Sequence, residues 1–131
     1  MESLASQVKR ALAEMPSAGE LRRILLIDRD PQSRLASQLA LDGRRRLHCA
    51  CVRAAWHLIY PHRPQAIVLH LYEAGAAALA DLHECRALAG GAPIVLALSG
   101  APTPELLEGA RHGTTVVLGA TPAEDAENAA G

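Results

Sequence analysis

The chain has 131 residues, half of them hydrophobic, with 13 basic side chains against 14 acidic ones and a formal charge of -1. That length suits one domain with one core, and the near-neutral balance excludes a global attraction to phosphate backbones or anionic membranes. With no Phe, two Tyr and one Trp, stacking platforms for bases or flat cofactors are scarce, and the core must be built from Leu, Ile, Val and Ala.

From Ser3 to Met15, Leu4, Val8, Leu12 and Met15 recur at steps of four and three, which predicts one apolar face of a helix capped by Ser3. Arg23-Ile24-Leu25-Leu26-Ile27-Asp28 is a short continuous apolar run, as expected of a strand covered on both faces of a parallel sheet. Asp30 and Pro31 then suit the start of a helix carrying Leu35 and Leu39 up to Gly43. A second strand is expected at Leu47 to Val52 and a short helix at Ala54 to Tyr60, ended by Pro61 and Pro64. Ala66 to Leu71 is the third buried run, followed by a helix with Leu79, Leu82 and Cys85 that Gly90-Gly91 stops. Ile94 to Leu98, a short helix from Pro104 to Gly113 and a β-branched strand from Thr114 to Leu118 complete the alternation.

Five strands alternating with helices predict a single-domain α/β fold with a doubly wound parallel sheet, whose strand carboxyl ends line one ligand-binding edge. The expected organisation is an N-terminal helix and linker (1–19), the α/β domain (20–122) and a polar Ala- and acid-rich tail (123–131). The longest apolar runs fall far short of the ~20 residues of a membrane span. Three Cys without framework spacing suit a reducing compartment, and no signal-peptide core precedes the first helix. A cytoplasmic location is expected.

The run Ile24 to Pro31 resembles the first strand of response-regulator receiver domains, which ends in a pair of adjacent acids. Pro64 to Gly75 is similar to the third strand and the loop after it, Pro93 to Gly100 to the fourth, and Gly113 to Pro122 to the last strand and its Lys-Pro turn. The resemblance spans roughly Arg23 to Pro122 and implies strand order 2-1-3-4-5, here with an extra N-terminal helix. It also implies a magnesium- and phosphate-binding pocket at the strand ends. The residues depart from that pattern. Asp28 matches the first metal-binding acid, but Arg29 stands where the second belongs, and His70 occupies the position of the phosphate-accepting Asp. Ser99 matches the hydroxyl that binds the phosphoryl group. The Lys is absent, with Ala120 and Thr121 nearest, and Val116 or Val117 replaces the aromatic that signals phosphorylation.

Phosphoryl transfer to a carboxylate needs a nucleophilic oxygen, a magnesium ion and cations that neutralise developing charge. One matched carboxylate beside a guanidinium and an imidazole does not offer magnesium its oxygen ligands. The expectation is a degenerate pocket of Asp28, Arg29, His70, Ser99 and Thr121, with Arg29 ion-paired to Asp28 or Asp30, no bound metal and no catalysis.

Other candidates are weaker. Cys49 and Cys51, two apart on the expected second strand, lack the second ligand pair of a zinc site and read as small buried hydrophobes. Arg44-Arg45-Arg46, without interleaved aromatics, reads as a solvated turn rather than a nucleic-acid contact. Ser99 shows no base or orienting acid in its sequence context, so a hydrolase is discounted. No glycine-rich phosphate loop follows the first strand. The tail lacks the apolar residues of the family's last helix, so Leu4, Val8, Leu12 and Met15 are expected to cover that face of the sheet, from within the chain or from a second copy. The functional expectation is a pseudo-receiver acting by phosphorylation-independent contact with a signalling or transcription protein, or as a homodimer, without direct nucleic-acid or membrane binding. The alternatives are a flavodoxin-like ligand-binding or enzymatic domain and a receiver that is still phosphorylated through a shifted site.

Overall fold

Short aliphatic runs separated by helices bury most cheaply as a central parallel sheet with helices on both faces, and that is the architecture of the computed structural model. It describes residues 3–14, 23–40, 45–73, 75–100, 102–111 and 115–120. The order along the chain is α1 (Leu4–Ala13), β1 (Arg23–Ile27), α2 (Arg34–Ala40), β2 (Arg45–Cys49), α3 (Val52–His62), β3 (Ala66–Leu71), α4 (Ala76–Ala89), β4 (Ile94–Ser99), α5 (Pro104–Ala110) and β5 (Thr115–Ala120). All strand pairs are parallel. The sheet order is β2-β1-β3-β4-β5, as the resemblance implied.

The two-residue pleat sorts the strands into two cores. Leu25, Ile27, Ile67, Leu69, Leu71, Leu96 and Leu98 face α3, α4 and α5, where they meet Val52, Ala55, Leu82, Cys85 and Leu106. Ile24, Leu26, Ala66, Val68, Val95 and Ala97 face the other way, against Leu35, Ala36 and Leu39 of α2 and Leu4, Ala5, Val8 and Leu12 of α1. Helix α1 lies against α2, β4 and β5, so its apolar stripe is buried within its own chain. Ser3 caps it by accepting from the Ser6 N–H at 3.1 Å. Met15 lies outside the described residues.

Several boundaries differ from the expectation, each for a local reason. Helix α2 starts at Arg34, after Asp30 has turned the chain by accepting the Gln32 N–H on Oδ1 at 2.9 Å; Ser33, not Asp30, is the cap, its Oγ accepting from the Ala36 N–H at 3.0 Å. Strand β2 is shifted toward the N-terminus, so Arg45 and Arg46 belong to an edge strand rather than a turn. Charges on an edge discourage pairing with another sheet. Cys51 therefore leaves the strand and becomes the N-cap residue of α3. Cys49 is buried, but Cys51 is exposed. Pro61 falls in the last turn of α3, and the helix runs on to His62 before Arg63 closes it in the left-handed conformation. Gly90, with φ +60°, closes α4 in the conformation that glycine adopts at least cost.

Candidate functional site

The pleat that sorts the core also assembles the site. Asp28 follows Ile24 and Leu26 on their face, His70 follows Ala66 and Val68, and Ser99 follows Val95 and Ala97. The register sets β1 beside β3 and β3 beside β4. Three side chains far apart in the sequence thus meet at the carboxyl edge, on the face covered by α1 and α2.

Asp28 is fully buried, and four donors converge on its carboxylate. Oδ2 accepts from Ser33 Oγ at 2.5 Å and faces His70 Nδ1 at 2.9 Å; Oδ1 accepts from the Tyr72 hydroxyl at 2.6 Å and the Asp30 N–H at 3.0 Å. Burial alone would raise its pKa. The hydrogen bonds from His70, Ser33, Tyr72 and the Asp30 backbone outweigh that and hold it at about 2, against an ordinary 3.8. Asp28 is therefore an anion at neutral pH and accepts only. Burial, and then the bond to Asp28, push the Tyr72 phenol up, which keeps it a donor.

His70 is buried. Facing an anion, its Nδ1 must carry the proton. Its Nε2 lies 2.9 Å from Ser99 Oγ. His48, on β2, donates from Nε2 to the Asp28 backbone carbonyl at 2.9 Å and ties the end of β1 to the edge strand.

The expected ion pair of Arg29 with an acid is replaced. The Arg29 guanidinium instead lies over the Tyr72 ring, 4.2 Å from the centroid. The partner of Asp28 is His70, at 2.9 Å. Ser99 does have a base and an orienting acid in space, contrary to its sequence context. Thr121 lies outside the described residues, and only the backbone of Val116 and Val117 is described. Ser33, His48 and Tyr72 are contributors that sequence reading missed. The signal for Ser33 was present: an acid at a strand end, followed five residues later by a serine at the next helix start, places a hydroxyl cap beside the carboxylate. Tyr72 had a weaker signal, since it continues the parity of Val68 and His70 just beyond β3.

Receiver folds imply a magnesium ion at this edge, and the residues present do not fit one. Each oxygen of Asp28 already accepts two hydrogen bonds, so no lone pair is left to turn toward a cation without breaking the network. An imidazole replaces an oxygen ligand. Among the described residues no three His, Cys, Asp or Glu converge as a metal site. Burial raises the thiols of Cys49 and Cys85 to about 11 and about 12, so neither offers a thiolate.

Replacing Tyr72 by Phe removes one charge-assisted donor to Asp28. A loss of about 1.5–3 kcal/mol is expected, together with an upward movement of the Asp28 pKa, read by carboxyl carbon NMR.

Strand order, crossover pattern and the acid at the end of β1 define a receiver-like α/β fold. A solved structure of the receiver domain of NtrC4 from Aquifex aeolicus is similar to it, with a TM-score of 0.59 and 14% sequence identity, over 82% of this chain and 90% of that one. At that identity the likeness is one of fold. No protein-family model matches the sequence, and no curated protein does. No helix among the described residues is long and apolar enough to cross a membrane.

Proposed function

We propose that this domain is a pseudo-receiver: a cytoplasmic signalling module that binds a protein partner, in a signalling or transcription pathway, without being switched by phosphorylation or magnesium. The observation that carries the reading is His70. By the sequence resemblance it takes the place of a receiver's acceptor acid, and it is hydrogen-bonded on both ring nitrogens, to Asp28 and toward Ser99. A site already satisfied in this way has one arrangement instead of the two that a phosphorylation switch requires.

A surface suited to docking supports the same reading. The chain has one Trp and two Tyr, and Trp56 and Tyr60 stand 46% and 68% exposed, one turn apart on α3. The helix also carries Arg53 and His57 and no acid. Exposed aromatics beside cations are the composition of an interface centre, and they fit a partner with acidic and apolar groups.

Incubating the chain with magnesium and a small phosphodonor should add no phosphoryl group to its intact mass, and titration of magnesium should leave the amide NMR signals of residues 28–30 and 70–72 in place. A stable phosphoryl adduct, or magnesium-dependent shifts at those residues, would refute the proposal.

A further inference from the structure

The hydrogen bonds through His70 have a direction that the docking role does not use. Because Asp28 is a buried anion, Nδ1 of His70 donates to it, which in the neutral ring leaves Nε2, 2.9 Å from Ser99 Oγ, to accept. In that tautomer the Ser99 hydroxyl donates to an imidazole that a buried carboxylate holds from behind. This is the arrangement that raises the nucleophilicity of a serine. Ser33, Tyr72 and the Asp30 N–H occupy the other lone pairs of Asp28 and fix the plane of its carboxylate, and so the tilt of the ring. Ser99 is half-buried at the end of β4.

We propose that Ser99 is an activated nucleophile and that the site accepts acyl groups from small activated esters. Ser99 Oγ bonds to the carbonyl carbon while its proton passes to His70 Nε2, and Asp28 stabilises the resulting imidazolium. Collapse of the tetrahedral adduct breaks the bond to the leaving oxygen, which takes the proton from Nε2. Acyl-Ser99 and neutral His70 remain. A water that gives a proton to the same nitrogen then attacks the acyl carbon; the bond from that carbon to Ser99 Oγ breaks, Oγ takes the proton back from Nε2, and the carboxylic acid leaves. Ser99 and His70 are the catalytic residues, and Asp28 is a positioning residue that acts through His70. General-base assistance of this kind gives a rate on the order of 10²–10⁴-fold over an unassisted serine. The inference stands apart from the docking role, because the phosphodonor and magnesium experiments do not bear on it.

The test uses the full chain with a fluorophosphonate probe, in which the new bond from Ser99 Oγ to phosphorus displaces fluoride. Intact mass and peptide mapping should find one adduct per chain, on Ser99. Ser99→Ala should abolish it, and His70→Gln should slow it by about 10²-fold or more. p-Nitrophenyl acetate should acylate the same residue. Because His70→Gln alters a buried position and can unfold the chain, ¹⁵N NMR of the wild-type imidazoles provides a second readout, with His70 expected as the Nδ1–H tautomer. No adduct on the folded wild-type chain, an adduct only elsewhere, a folded His70→Gln chain labelled at the wild-type rate, or an Nε2–H tautomer would each overturn the proposal.

Discussion

Removing residues 1–17 is expected to unfold the domain. Leu4, Val8 and Leu12 are at most 4% exposed and belong to the core that contains Ile24, Leu26, Val68 and Val95. Burial of a side chain of that size contributes about 1.5–3 kcal/mol, so these three alone supply roughly 5–9 kcal/mol. The strand residues uncovered by the deletion add to the loss. A domain of this size has a total stability of about 5–15 kcal/mol, and the deletion removes a comparable amount. In a receiver the last helix normally covers this face; here a helix from the start of the chain does so. The check is thermal and urea denaturation followed by circular dichroism, with Leu12→Ala as the milder variant, expected to cost about 2–5 kcal/mol. A truncated chain that melts where the full chain does would show that α1 is not part of the core.

Asp28→Ala should be the most damaging single substitution at the strand ends, at about 3–5 kcal/mol. It strips the acceptor from Ser33, His70, Tyr72 and the Asp30 N–H at once, and buried donors without a partner carry their full desolvation cost. The same residue governs acid stability. Its folded pKa, about 2, lies below the unfolded value of 3.8. The unfolded chain therefore binds the proton first as pH falls, and the stabilisation is complete above about pH 4 and is lost as pH drops toward 2. The gap between the folded and unfolded pKa values corresponds to roughly 2 kcal/mol, which disappears across that window. Urea midpoints measured from about pH 5 down to about pH 2 should show this slope in the wild type and a shallower one in Asp28→Ala. Equal slopes would mean that Asp28 is not the group being protonated.

The layered fold was legible because its signals are local and repeated. Continuous aliphatic runs separated by helical spacings predict a parallel sheet, and the step-four stripe from Leu4 to Leu12 predicts an amphipathic helix. Element ends were less legible. The start of α2 turned on whether Asp30 or Ser33 supplied the cap, and the end of β2 on whether Cys51 stayed in the strand. The five-residue spacing of Asp28 and Ser33 carried a signal for the first choice; the second depends on strand pairing that no window of sequence contains.

The identities of the residues were enough to put an imidazole at the end of the third strand and a positive charge, Arg29, next to Asp28. Both follow from position alone. Which of those groups pairs with Asp28 was decided in three dimensions. Arg29, beyond the end of β1, stacks on the Tyr72 ring instead of reaching the Asp28 carboxylate, whereas His70 and Ser99, distant in the chain but equal in parity on neighbouring strands, reach the same side as Asp28. Sequence proximity favoured the ion pair that does not form, and strand register made the hydrogen-bonded chain that does.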